Sequence, residues 1–252
     1  MSAAIDILEH MFEYGQMTPP SVSVETVEPS LRQLNSVREL QSRIREMQTT
    51  TLETKSLPTL PAFASILPDG ALKQGAAYSI KGSMSLAMGL LAGPSSAGWW
   101  CGAVGVPELG VEAASGIGIS LERLVLIPAP GKRWLTVTAA LIDVLTVVLT
   151  RPPVWIPSAD ISRLSARLRQ RGATLVILGE WPQAEARLSI RSSRWEGIGA
   201  GHGYLRNREV LVEVAGRSGT RASTLRMIPS DKGHVFEASN HTSHLRERSG
   251  VR

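Results

Sequence analysis

From Leu57 the chain alternates short, almost wholly apolar runs with stretches of helical period. The runs "AAYSI" (76–80), "GWWCGAVGV" (98–106), "RLVLIPAP" (123–130), "TVVLT" (146–150) and "ATLVILG" (173–179) predict strands. Between them, "SLAMGLLAG" (85–93), "VEAASGIG" (111–118), "WLTVTAALIDVL" (134–145) and "ADISRLSARLRQRG" (159–172) predict helices. A strand with no polar face has to be covered on both sides, and helices supply the cover. The pattern therefore predicts an α/β fold whose mostly parallel sheet is flanked by helices. After Trp181 the period falls to two. "ARLSIRS" (186–192) and "EVLVEVAGR" (209–217) alternate apolar with polar residues about a glycine-rich connection, which predicts a C-terminal antiparallel hairpin.

Both ends depart from this texture. Residues 15–30 are rich in Pro, Ser, Thr and Val without period and read as a linker. Leu31, Leu34, Val37, Leu40, Ile44 and Met47 then recur at helical spacing behind a Ser30–Gln33 capping box, predicting an N-terminal amphipathic helix. Its apolar face, with Leu34, Leu40 and Ile44, has two readings: docking on its own domain or on a partner. Residues 217–252 hold three of the five histidines, scattered charge and neither Trp nor Tyr. That composition predicts a flexible basic tail, with Arg217, Arg221 and Arg226 as candidate partner contacts. The expected divisions are 1–56 (linker and helix), 57–216 (core) and 217–252 (tail).

Composition narrows the picture slightly. The 252 residues are 43% hydrophobic, enough for a sizeable core, and 27 basic against 22 acidic residues give a net charge of +5. That excess is compatible with nucleic acid or an acidic partner without indicating either. The single cysteine, Cys101, excludes an internal disulfide and reads as a buried structural thiol. "MSAAIDILEHMFEYG" has acids and no basic region before its apolar residues, so a cytoplasmic location is expected. "WLTVTAALIDVLTVVLT" is interrupted by Asp143 and ends at Arg151-Pro152-Pro153, which argues against a membrane span.

One segment imitates a phosphate-binding loop. In "GPSSAGWW" (93–100) Gly93 and Gly98 have the spacing of G-x-x-x-x-G-K-[ST], but Trp99 and Trp100 replace the lysine and the hydroxyl. It also follows a helix and opens a strand, the reverse of a working loop, so its glycines are expected to form a turn. The proper position is "KGSMSLAM" (81–88), where Lys81, Gly82, Ser83 and Ser85 form a vestige: one glycine, and no Lys-Ser or Lys-Thr pair at the helix start. Without them the β- and γ-phosphates lack a cation and Mg²⁺ lacks its hydroxyl ligand. The stretch "LTVVLTRPP" (145–153) ends with Thr150, Arg151 and two prolines, where a metal-binding carboxylate would stand. Arg151 could pair with an acid or a phosphate, or be a solvated loop arginine.

In this order the pieces "AAYSIKGSMSLAMGLLAGPSSAGWWCGAVGVPELG", "ATLVILGEW" and "RLSIRSSRWEGIGAGHGYLRNREVLVEVAGR" resemble the RecA recombinase core. The phrases "RPP", "LGEWP", "RWEGIG" and "GHGYLR" are similar to the RecA-like ImuA-prime group of actinobacterial mutagenesis cassettes, over about residues 57–216. The resemblance implies a RecA-like sheet and an accessory role in damage-induced mutagenesis and translesion synthesis, nucleoid-associated when induced. Its implied partner is an ImuB-type Y-family polymerase homologue, with an error-prone replicative-type polymerase complex, DNA and the chain itself as further partners. Glu108 in "VPELG" falls near the family's water-activating glutamate, and the DNA-gripping loop is shortened to "EWPQAEA" (180–186). The expectation is a protein that is not an enzyme and needs no cofactor or metal. Its alternatives are a degenerate nucleotide-binding ATPase and a single-stranded DNA-binding module.

Two basic groups bear on the last alternative. Arg163, Arg167 and Arg171 lie along one side of the predicted helix 159–172, beside the stripe Ile161, Leu164 and Leu168. They could meet phosphates in register or simply be solvated. "SRWEGIGAGHGYLRNR" (193–208) places Arg194, Trp195, Tyr204, Arg206 and Arg208 about a glycine-rich turn. The aromatics could stack on unpaired bases or cover a sheet edge. His234, His241 and His244 lack the companions and spacing of a metal site.

Overall fold

The computed structural model describes residues 56–199, 202–217, 219–230 and 233–239, all within the compact unit Thr54–Arg252. Leu34, Leu40, Ile44, His241 and His244 lie outside the described residues.

Two short strands, β1 (Ser56–Leu57) and β2 (Leu72–Lys73), pair antiparallel around the helix α1 (Pro61–Ala64). The remaining nine strands form one sheet. In chain order the elements are β3 (Ala77–Lys81), α2 (Met84–Ser96), β4 (Cys101–Val104), α3 (Val111–Gly116), β5 (Leu124–Ile127), α4 (Trp134–Val144) and β6 (Val147–Thr150). α5 (Ser158–Arg171), β7 (Thr174–Leu178), β8 (Ala186–Gly199), β9 (His202–Gly216), β10 (Gly219–Ser230) and β11 (Gly233–Ser239) follow. Across the sheet the order is β5-β4-β6-β7-β3-β8-β9-β10-β11. Every pair from β5 to β8 is parallel, and β8 to β11 are antiparallel. The predicted α/β class, the mostly parallel sheet and the C-terminal antiparallel hairpin are all present.

The apolar strands bury both faces, as their lack of a polar side requires. On β6, Val147 and Leu149 join one core and Val148 the other; on β7, Val176 and Leu178 oppose Leu175 and Ile177. The second core is closed by α4 and α5 through Trp134, Ile142, Leu164 and Leu168. α5 stops at Gly172, whose φ of +69° supplies the left-handed cap that a side chain would resist.

The first core is built around α2, in which every residue from Leu86 to Ser95 is buried. A helix apolar all round needs cover all round. The parallel strands cover one side. Phe63 of α1 and the apolar residues of β9 to β11, including Val212, Leu225 and Phe236, cover the other. Phe63 and Phe236 meet edge to face with centroids 4.9 Å apart.

Two expectations are corrected here. The segment after Arg217 is not a tail as far as Ser239, because β10 and β11 complete the sheet and bury Thr224, Leu225, Met227 and Phe236. Charged residues between the apolar positions of "TLRMI" and "HVFEA" hid a two-residue period, and the sheet thus ends two strands beyond the β8–β9 hairpin. In "GPSSAGWW", Gly93 is not a turn residue. α2 runs on to Ser96, and a Cβ on Gly93 would lie 2.7 Å from the Pro58 carbonyl oxygen, so its hydrogen lets the 58–60 segment cross the helix. Gly98, at φ +90°, does make the turn into β4.

Candidate functional site

Ligands of parallel α/β sheets gather at the carboxyl ends of the strands. At that edge β3 ends on Lys81 and α2 begins at Met84, leaving Gly82 and Ser83 as the whole connection. Gly82 takes φ +69°, and its Cβ position is open space. Ser83 is the N-cap, accepting a hydrogen bond from the Leu86 amide at 3.3 Å, with its hydroxyl 3.2 Å from that of Ser85. Lys81 is exposed and Ser83 buried. The four residues predicted for a phosphate site thus lie close along the chain, but Ser83 caps the helix and the two-residue link leaves little backbone to surround a triphosphate.

Arg208 of β9 reaches into this corner. Its Nε donates to the Ser193 hydroxyl at 2.9 Å, its Nη1 approaches the Ser85 hydroxyl at 3.4 Å, and its guanidinium lies 5.3 Å from the centre of the Trp195 ring. The cause is pairing: Trp195 and Arg208 are cross-strand partners in the β8–β9 ladder, so their side chains rise from the same face. Trp195 remains 49% exposed and Tyr204 85% exposed, so neither is sealed against the sheet edge. Arg194, one residue from Trp195, takes the opposite face and pairs in register with Glu209. Arg206 is exposed.

The neighbouring strand ends hold side chains that bind within the protein. The Thr150 hydroxyl accepts from Trp134 Nε1 at 2.8 Å and donates to the Val104 carbonyl at 3.1 Å, joining β6 to α4 and β4. Arg151 forms an ion pair with Glu108. Of the readings open for this arginine, pairing with an acid is the one the structure displays. Both side chains are about half exposed, so the pair adds little stability. It does neutralise both charges.

The arginine stripe of α5 is likewise engaged. Asp143 of α4 receives Arg167 through Nε at 2.7 Å and Nη2 at 2.6 Å, and Arg171 through Nε at 3.0 Å. Hydrogen bonding from Arg167 first, and then from Arg171, holds the Asp143 carboxyl down at about 2. Arg163 pairs with Asp160 at 3.0 Å. The stripe therefore clasps α5 to α4, and two aspartates compensate much of its charge. The signal for this was Asp143, the lone charge of an otherwise apolar helix.

The tail arginines are also placed. Arg217 pairs with Glu185 at 3.2 Å, Arg221 donates to the Pro68 carbonyl at 3.3 Å, and Arg226 pairs with Glu209 at 3.2 Å. Among the described residues, no group of three or more His, Cys, Asp and Glu side chains is arranged to hold a metal, and no helix is long and apolar enough to cross a membrane.

Fold and site together define an α/β protein whose strand-to-helix link at the sheet edge is reduced to a helix cap. The family model of the MT3502 N-terminal domain matches residues 65–183, which span every parallel strand except β8. The uncharacterized protein Rv3395c of Mycobacterium tuberculosis (strain ATCC 25618 / H37Rv) is 31% identical over 182 residues, 71% of this chain and 86% of that protein. At that identity and coverage the chain belongs to the same family as Rv3395c. Among solved structures, the flagellar accessory protein FlaH from Methanocaldococcus jannaschii aligns with a TM-score of 0.44 at 10% identity, over 68% of this chain and 92% of FlaH.

Proposed function

We propose that this chain is a non-catalytic RecA-fold accessory protein of damage-induced mutagenesis and translesion DNA synthesis, an adaptor for an ImuB-type Y-family polymerase homologue. The mutagenesis role rests on the resemblance of "RPP", "LGEWP", "RWEGIG" and "GHGYLR" to the ImuA-prime group. The non-catalytic part is supported by one observation above the rest: Gly82 and Ser83 alone separate β3 from α2, and Ser83 is spent as the cap. The Arg151–Glu108 pair, lying where metal and water chemistry would be arranged, agrees with it.

The test has two arms on the full chain. Co-expression with an ImuB-type protein should give a complex that survives purification, and calorimetric titration with Mg-ATP should give no saturable heat. Failure to associate removes the adaptor role. ATP turnover lost in Lys81→Ala would overturn the non-catalytic reading. A second reading draws on Arg208, which brings a cation to the α2 N-terminus beside Ser85: residual nucleotide binding without turnover. Saturable Mg-ATP binding weakened by Arg208→Gln would favour it.

A further inference from the structure

At the opposite edge of the sheet, where the parallel strands begin, a cavity of about 450 Å³ lies between the start of β3, α5 and the segment 182–185 leading into β8. Ser165 and Arg169 of α5, Gln183, Glu185 and Arg217 supply its polar lining, and Leu168 part of its apolar lining. Gly75 makes the close approach possible: at φ +76° its Cβ position is 3.1 Å from the Arg169 Cα, so the turn before β3 presses against the backbone of α5.

Positive charge gathers here. Lys73 and Arg217 both bind Glu185, Arg187 donates to the carbonyl of the cavity-lining Pro182, and Arg221 holds the carbonyl of Pro68, which abuts Gly216. With Arg169 these make five cations, against the two carboxylates Asp69 and Glu185. Lys73 is shared by both carboxylates. Among the described residues, Arg169 has no carboxylate within ion-pair distance and no hydrogen-bond partner, and it lines the cavity. The Ser165 hydroxyl, on a residue only 6% exposed, also has no hydrogen-bond partner among the described residues. A buried hydroxyl without a partner is costly, and because Ser165 lines the cavity, a turn of its side chain would let a bound polar group satisfy it.

We propose that this cavity binds a small organic anion, a molecule whose carboxylate or phosphate group is held between the guanidinium groups of Arg169 and Arg217. Glu185 keeps Lys73 when Arg217 turns to the ligand, so no wall charge is left uncompensated. The volume suits a small molecule. Among the described residues, none of the exposed aromatic side chains, Trp99, Trp100, Trp155, Trp195 and Tyr204, lines the cavity. A single nucleic-acid strand would thus meet charge without a stacking platform, which favours the small anion. The inference is independent of the adaptor role and of the β3–α2 link.

The experiment is an amide-shift titration of the isotope-labelled full chain with succinate, inorganic phosphate and glycerol 3-phosphate, each against chloride at matched ionic strength. The expected result is saturable shifts at Gly75, Ala76, Ser165 and Ala184 for at least one probe, with a dissociation constant below about 1 mM. Comparing the arms separates a carboxylate site from a phosphate site. Arg169→Gln and Arg217→Gln, both exposed positions, should weaken binding by about tenfold each while leaving the remaining spectrum unchanged. Lys132→Gln, an exposed position in the segment after β5, should bind as the parent does. Shifts that stay linear with every probe, or equal affinity in Arg169→Gln, would overturn the proposal. So would saturation of these amides by a single-stranded oligonucleotide but by none of the three small anions.

Discussion

Replacing Gly89 by alanine sets two known effects against each other at the centre of α2. In a helix interior the change from glycine is favourable by about 1 kcal/mol, because the unfolded backbone loses freedom. The added methyl, however, would lie 2.2 Å from Phe63 Cζ, 2.4 Å from Phe63 Cε2 and 3.0 Å from Phe236 Cε2. Phe63 is 0% exposed and Phe236 9% exposed, so the rings have no solvent to move into and must shift α1 and β11 with them. Overpacking of this kind costs about 1–3 kcal/mol, and contacts this short belong at the upper end. The net expectation for Gly89→Ala is a loss of about 1–2 kcal/mol, or roughly 2–8 °C in melting temperature at this chain length. Thermal and urea unfolding of the full chain measure it. The double variant Gly89→Ala/Phe63→Leu should recover part of the loss relative to the sum of the singles, since leucine vacates the space the methyl needs. A Gly89→Ala protein more stable than its parent would refute the enclosure of α2 by α1 and β11.

The other predictions test separate features. Asp143→Asn breaks the clasp between α4 and α5. The folded-state pKa of Asp143 is lowered from 3.8 to about 2, so its contribution is present above the higher value and lost as pH falls through the lower. The gap in urea midpoint between parent and Asp143→Asn should be constant above that window and close within it; a gap that persists at the acid end contradicts the ion pairing. Deleting residues 218–252 should leave a protein that binds a hydrophobic dye and unfolds without cooperativity, because the core around α2 loses Leu225, Met227 and Phe236; a cooperative, monodisperse product would return this segment to the status of a tail. Cys101 is 0% exposed and burial pushes its thiol up to about 12, so thiol reagents at neutral pH should modify it only at the rate of unfolding. Rapid labelling of the native protein would show that the α2–β4 region opens.

Legibility in the sequence followed the range of the forces involved. The parallel strands and the helices between them were readable, because burial on both faces leaves a continuous apolar run such as "TLVIL". β10 and β11 were not, because their residues outside the apolar positions meet solvent and their charges read as disorder. Lys81, Gly82, Ser83 and Ser85 were placed correctly at the strand-to-helix link, since a chain-local motif fixes its own position. Arg208 was visible as a basic residue near an aromatic, but its approach to Ser85 spans 123 positions of sequence. The partners of Arg167 and Arg171 were hidden for the same reason, 24 and 28 positions away on another helix.

By itself, then, the sequence determined the α/β class, the shortness of the β3–α2 link and the lack of a Lys-Ser or Lys-Thr pair at the start of α2, since each follows from neighbours along the chain. Only the tertiary structure decided that Glu108 and Arg151 cancel, that the arginine stripe faces acids, that Gly93 is a crossing point, and that Arg169 and Arg217 meet over one cavity. Ion pairs and close approaches act over a few ångströms in space, and their partners are chosen by the packing of the whole sheet.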